Sequence, residues 1–234
     1  MDIKERMQDM SKKILYHGSP EIVTKPEFGL GKPYNDYGSG FYCTEHLELA
    51  KEWSVTEGVD GYYNKYEIDT SGLSILNLSS SDYTILHWLA ILVDYRRFQI
   101  TTTVMRRGVE YLKENFSVDI SSYDVITGYR ADDSYFKFAK AFLTNQISLA
   151  QLSYAMRLGS LGEQFVLKSP AAFDRIEFLS YETCDSSVYY PKRKARNDAA
   201  RDAFNAELEK DDLDGIFMRD VIRNEVKKDD PCLR

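Results

Sequence analysis

The spacing of apolar residues along this chain changes period twice. Ile14-Leu15-Tyr16-His17 is a short run of β-favouring residues stopped by Gly18-Ser19-Pro20, and residues 29–40 are so rich in Gly, Pro, Asn and Asp that they read as a loop. After Thr44, a hydroxyl able to cap, apolar residues at 47, 50 and 53 recur at helical spacing and predict a helix over 46–53. Residues 62–68 alternate weakly and end at Asp69-Thr70-Ser71-Gly72, a strand and its turn, and residues 73–78 read as another strand. From Ser81 the period becomes helical. Helices are predicted over 83–98 behind Asp82 as cap, over 104–115, over 135–143, and over 149–158 between a Ser148 cap and a Gly159 stop. Residues 164–168 and 176–181 return to strand, with a helical turn begun by Ser169-Pro170 between them, and 191–210 and 213–225 read as helical. The pattern predicts an α+β fold, one domain over residues 1–234, whose β-rich parts are separated by a helical insertion at about 81–160.

Composition narrows the class. At 234 residues, 43% hydrophobic and 29% charged, the chain can bury a core. A net charge of −7 gives no protein-wide positive field to draw in nucleic acid or an anionic membrane. The longest apolar run, residues 85–93, is interrupted by His87 and spans about 13 Å as a helix, short of a bilayer core. Residues 1–13 are charged throughout with no apolar signal region, so the expectation is a cytoplasmic protein without membrane contact. Cys43, Cys184 and Cys232 form no C-x-x-C pair, and His17, His46 and His87 form no two-His helical motif, so no metal is assigned.

Two stretches carry the candidate chemistry. The first strand delivers His17-Gly18-Ser19 into a turn, which places an imidazole, a backbone without a side chain and a hydroxyl together, a set able to bind a sugar and an amide. Further on, Gly38-Ser39-Gly40-Phe41-Tyr42 offers two glycines for close backbone approach and sends Tyr42 out on a strand. Each stretch by itself also fits a hairpin turn with a packed tyrosine. In this order, followed by a helix holding Ala50 and Trp53, the sequence resembles the nucleotide-binding half of ADP-ribosyltransferases of the diphtheria toxin and poly-ADP-ribose polymerase type, which carry a His-Tyr-Glu triad. It is most similar to a bacterial branch in which a helical insert separates the Tyr motif from a late strand, here Gly162-Glu163-Gln164-Phe165-Val166. The likeness extends to Asp214-Gly215-Ile216-Phe217-Met218-Arg219-Asp220.

The resemblance implies a pair of packed antiparallel sheets forming an NAD cleft, and a toxin-like mono-ADP-ribosyltransferase with NAD as substrate. The acceptor, whether protein side chain, nucleobase or small molecule, is not named by the sequence. His17 would bond a ribose hydroxyl of NAD, the Gly18 backbone would hold the nicotinamide carboxamide, and Ser19 would support both. Tyr42 would stack on the cationic nicotinamide ring, an attraction of about 0.5 to 2 kcal/mol. Tyr37 and Tyr34 are candidates for a second stacking ring. Gln164 replaces the third, carboxylate member of the triad. It can anchor a ribose hydroxyl but brings no charge, while Glu163 points to the opposite strand face. On that basis Gln164→Glu is expected to speed nicotinamide release, since a charge about 5 Å from the developing cation is worth roughly 3 kcal/mol, or a hundredfold.

Two other functions fit the same residues: a non-catalytic module binding NAD, ADP-ribose or a nucleotide, and an NAD glycohydrolase toxin. Nucleic acid is not favoured as a partner, although the basic run Lys192-Arg193-Lys194-Ala195-Arg196 at a helix start opposes the macrodipole and suits a phosphate contact. His46 reads as a helix-surface residue and His87 as a satisfied helical histidine. Arg130, Asp132 and Asp133 read as a solvated loop that could line a cleft. The insertion is expected to flank the cleft mouth and influence acceptor choice.

Overall fold

A computed structural model describes residues 11–131, 133–157, 163–210 and 212–233, with the backbone alone at 133 and 134. The first sheet is formed by β1 (Lys12–Ser19), β3 (Gly61–Asp69) and β7 (Ile176–Cys184), antiparallel in the order β1-β3-β7. The second contains β2 (Phe41–Cys43), β4 (Ile75–Asn77), β5 (Val125–Tyr129) and β6 (Glu163–Leu167) in the order β2-β6-β5-β4. Its β4–β5 pair is parallel, so the expectation of two antiparallel sheets holds for the first only. The physical reason is the connection. The chain between β4 and β5 runs through two helices, a crossover long enough to bring a strand back in the same direction.

Strand β5 also corrects the reading of 81–160 as purely helical. Val125-Ile126-Thr127 is β-branched and sits between a turn and Gly128, too short a run for its alternation to stand out beside four helices. Those helices are α2 (Ile85–Tyr95), α3 (Thr103–Asn115), α4 (Asp133–Leu143) and α5 (Leu149–Ala155). The cap of α2 is Thr84, not Asp82, because His87 reaches back so that its Nδ1 accepts from the Thr84 N–H at 3.0 Å. Ser148 caps α5 as expected, in a reciprocal box with Gln151. The expected stop at Gly159, the motif residue Gly162 and Asp132 lie outside the described residues.

A short helix α1 (Leu47–Ser54) precedes β3, with His46 at its N-cap; the Thr44 hydroxyl instead accepts from the His46 N–H at 3.1 Å. One turn of helix, α6 (Pro170–Phe173), joins β6 to β7. The helix expected from Pro191 begins earlier: α7 (Ser186–Leu208) starts behind an Asp185 cap and carries Pro191 inside it. Only Met218–Arg223 of the expected 213–225 segment is helical, as α8.

The second sheet is the middle layer. Val125, Phe165 and Leu167 meet Leu15 and Ile68 of the first sheet, while Leu76, Ile126 and Val166 on the other face meet Leu86, Leu89, Phe138 and Phe142 of the insertion. Each such side chain contributes about 1.5 to 3 kcal/mol by leaving water, so both faces of β6 are held in register by apolar burial. An isolated bridge, Tyr16 with Thr44, fastens β1 to the chain just past β2. Helix α1 packs on the first sheet through Ala50, and Val55 just past its end joins it against Tyr63 and Cys184. Among the described residues no helix is long and apolar enough to cross a membrane.

Candidate functional site

A cavity of about 710 Å³ opens where the end of β1, the loop before β2, α1, the start of β6 and α7 converge. His17, Gly18, Tyr42 and Gln164 all line it. That volume lies inside the range of about 300 to 1,000 Å³ typical of small-molecule sites.

The Tyr16–Thr44 bridge sets the histidine. It draws β1 and β2 together so that His17 Nδ1 lies 2.7 Å from the Tyr42 carbonyl oxygen. A carbonyl only accepts, so Nδ1 carries the proton and Nε2 keeps a lone pair. Burial pushes the His17 pKa below its ordinary 6.5, outweighing the pull of the carbonyl in the other direction, and the ring is therefore neutral at pH 7. The Phe41 ring lies 4.4 Å from it, centroid to centroid. Gly18 is required by packing: a Cβ there would come 2.1 Å from the Ala50 carbonyl oxygen of α1.

Tyr42 is fixed at its far end. Its hydroxyl donates to the Gly38 carbonyl at 2.6 Å and accepts from the Tyr37 N–H at 3.1 Å, so the ring is held as a wall and not as an acid or base. Tyr37 is corrected. Its side chain is 0% exposed, its hydroxyl donates to the Tyr129 carbonyl at 2.7 Å, and it belongs to the core instead of the cavity. Ser19 is corrected too, because its hydroxyl donates to the Glu21 carbonyl and accepts from Asn64, which closes the turn after β1. Tyr34 is exposed beneath the Arg97 guanidinium and does not line the cavity. The rings beside Tyr42 in the wall are Phe41 and Trp53.

Gln164 is 5% exposed, and its Nε2 donates to Asp36 Oδ2 at 3.1 Å. Asp36, equally buried, also accepts from the Ala131 N–H at 2.8 Å and faces Arg96 Nη1 at 3.6 Å. Burial raises the pKa of this carboxyl, opposed by the Ala131 N–H, by Arg96 and Arg130, and by Gln164. Asp36 Oδ1 and Gln164 Oε1 are buried without a hydrogen bond among the described residues. Glu163 is exposed at the strand start, paired with Tyr129 across the sheet.

Sequence reasoning missed Asp36 and Glu52. Asp36 stood in a loop where Asp usually marks a turn. Glu52 is buried against Arg196, whose Nε and Nη2 reach its two oxygens at 2.9 and 2.7 Å across 144 residues of sequence. The flagged basic run is the signal that led to its partner. Arg193, Arg196 and Arg201 of α7 line the cavity, and Arg193 also donates to the Val55 carbonyl. Arg130, read as a loop residue, lines the cavity with its guanidinium 3.7 Å above the Trp53 ring. With Lys25, Lys32 and Arg96, the described residues of the wall hold seven cationic side chains against the carboxyls of Glu27, Asp36 and Glu52. An acidic chain thus builds a locally basic cavity. His46 is exposed and His87 is buried in its capping box, as read from the sequence. Among the described residues no three His, Cys, Asp or Glu are grouped to hold a metal ion.

A family model described as "Protein of unknown function (DUF3990)" matches residues 13–178. The chain belongs to the DUF3990 family. No curated protein and no solved structure matches it. The DUF3990 region holds His17, Tyr42, Asp36 and Gln164, whereas α7 with its three cavity-lining arginines lies beyond the matched residues.

Proposed function

We propose that this protein binds NAD in the cavity and acts as a mono-ADP-ribosyltransferase. The observation that carries the reading is the meeting of His17, Gly18, Tyr42 and Gln164, from three strands distant in sequence, in one basic cavity of ligand size. In this reading the neutral His17 accepts a ribose hydroxyl at Nε2, the Tyr42 ring covers the pyridinium, and the α7 arginines face the pyrophosphate. The bond from the ribose carbon to nicotinamide then breaks through an oxocarbenium-like state, with the enzyme supplying alignment. Specific support for the rival reading, a binding module without turnover, is Gln164 in place of a carboxylate. Incubation with NAD decides between them: transfer requires nicotinamide release, a module binds without it, and a glycohydrolase leaves only free ADP-ribose. Tyr42→Ala should weaken NAD binding at least tenfold by calorimetry. Equal binding by both proteins removes the placement.

A further inference from the structure

A second cavity, of about 210 Å³, borders the first along the loop before β2: Asp36 lines the large cavity, Ser39 the small one and Gly40 both. The apolar wall of the small cavity is made by Phe28, by Tyr95 at the end of α2 and by Ile120. Phe28 is 57% exposed, with its ring 5.7 Å from that of Phe173, and an aromatic ring standing out of the core over a hollow gains by being covered. A cavity of roughly 150 Å³ takes benzene, so this one has room for a ring and a substituent.

Its polar end is Lys168, just past β6. The half-buried ammonium donates to the carbonyls of Tyr37 and Ser39, 2.5 Å from each, and lies 5.8 Å from the centre of the Tyr95 ring. Both hydrogen-bond partners are neutral, and among the described residues no carboxylate pairs with it; burial alone pushes its pKa down. An ammonium has three N–H donors, so after the two carbonyls one donor and the whole positive charge are left over. The hydroxyls of Ser39 and Tyr95, in the same wall, likewise make no hydrogen bond among the described residues. The carboxylates that act on Tyr95 are engaged elsewhere, Asp94 with Lys113 at 2.7 Å and Asp119 with the N–H and hydroxyl of Ser121 at 3.0 and 2.6 Å.

We propose that the small cavity binds a monocarboxylate with an apolar body of about benzoate size, its carboxylate accepting from Lys168 and Ser39 and its body lying between Phe28, Tyr95 and Ile120. One negative charge answers one ammonium, and an apolar wall with a few placed donors suits such a molecule. Lys168 keeps both carbonyls in the complex, so the ligand fixes the loop instead of releasing it. The same loop is a wall of the large cavity. Its Gly38 carbonyl accepts from the Tyr42 hydroxyl at 2.6 Å, its Tyr37 N–H donates to that hydroxyl at 3.1 Å, and its Asp36 accepts from Gln164. Occupancy of the small cavity is thereby felt at the wall of the large one, whatever the large one takes.

The test is calorimetry on the full chain with benzoate, benzamide and acetate at constant ionic strength, beside NMR of the Ile120 methyl groups. Benzoate should bind at least tenfold tighter than benzamide, which lacks the charge, and than acetate, which lacks the ring, and it should shift the Ile120 methyl signals. Lys168→Met, checked for native unfolding behaviour, should lose tenfold or more in benzoate affinity. Phe28→Ala, at an exposed position outside the core, should lose severalfold with the ammonium still in place. Amide exchange at Tyr37 and Gly38 should slow severalfold with benzoate and not with benzamide. Benzamide bound as tightly as benzoate, an affinity for benzoate unmoved by either variant, benzoate binding that leaves the Ile120 methyls unshifted, or no benzoate binding at all overturns the site. Unchanged amide exchange in the benzoate-saturated protein overturns the coupling to the loop.

Discussion

Replacing Gln164 by Glu tests the site most directly, and the structure reverses the outcome expected from the sequence. The gain estimated there, about 3 kcal/mol from a charge some 5 Å from the developing cation, ignores what Gln164 touches. Its amide donates to Asp36 Oδ2 at 3.1 Å, and Glu in that place offers only acceptors to a buried carboxylate. At an effective dielectric of 20 two charges at this separation repel by about 5 kcal/mol, more than the gain. A proton shared by the pair relieves part of it, as in other close carboxylates, and leaves an expected loss of about 2 to 3 kcal/mol. Thermal unfolding of Gln164→Glu should then fall by roughly 4 to 12 °C, and nicotinamide release should not rise. The exchange Asp36→Asn with Gln164→Glu restores one amide and one carboxylate in hydrogen-bonding contact, now with the charge on β6. It should recover stability and release nicotinamide faster than either single variant. A single Gln164→Glu protein as stable as the parent and faster in nicotinamide release refutes the role given to the Asp36–Gln164 bond.

Other expectations follow from individual contacts. Because His17 is held neutral with its pKa below 6.5, NAD affinity should be flat above that value and fall as pH drops through the lower folded pKa; its contribution to stability is likewise full above 6.5 and is lost between 6.5 and the folded value. Titration of the His17 ring by NMR checks this, and a midpoint above 6.5 contradicts it. Gly18→Ala should cost about 3 kcal/mol or more in denaturant unfolding, since its methyl group meets the backbone of α1 at Ala50; wild-type stability would show that α1 is not seated on β1 as described. Glu52→Gln breaks a largely buried bidentate pair and should lower stability by about 2 to 4 kcal/mol, with an unchanged unfolding midpoint as the contrary result.

What the sequence disclosed follows from range. His17, Gly18 and Tyr42 were legible because each lies in a short stretch whose glycines and strand pattern state the local geometry, and the four insertion helices because their apolar period persists over many turns. Ser148 announced its cap by standing just ahead of a helical apolar period, whereas its partner Gln151 showed itself only in the structure. The Asp36 contact with Gln164 and the Glu52 pair with Arg196 join residues 128 and 144 positions apart, and no local pattern encodes them. Strand β5 was hidden for a related reason: its pairing with β4 and β6, more than its own five residues, makes it a strand. Tyr37 shows the opposite failure, since a tyrosine beside glycines looks like a ligand platform until Tyr129 is seen to receive its hydroxyl.

The same long closures set an order of events during synthesis. Asp36 meets Gln164 only once β6 has been made, and Glu52 waits for Arg196 on α7. At translation rates of about 5 to 20 residues per second, the 144 residues between Glu52 and Arg196 take roughly 7 to 30 s to emerge. For most of that interval the Gln164 amide is absent from the cavity, and throughout it Glu52 stands without its guanidinium partner. A polypeptide ended before α7 therefore carries the Glu52 side of the cavity without the three arginines that line it from the other side.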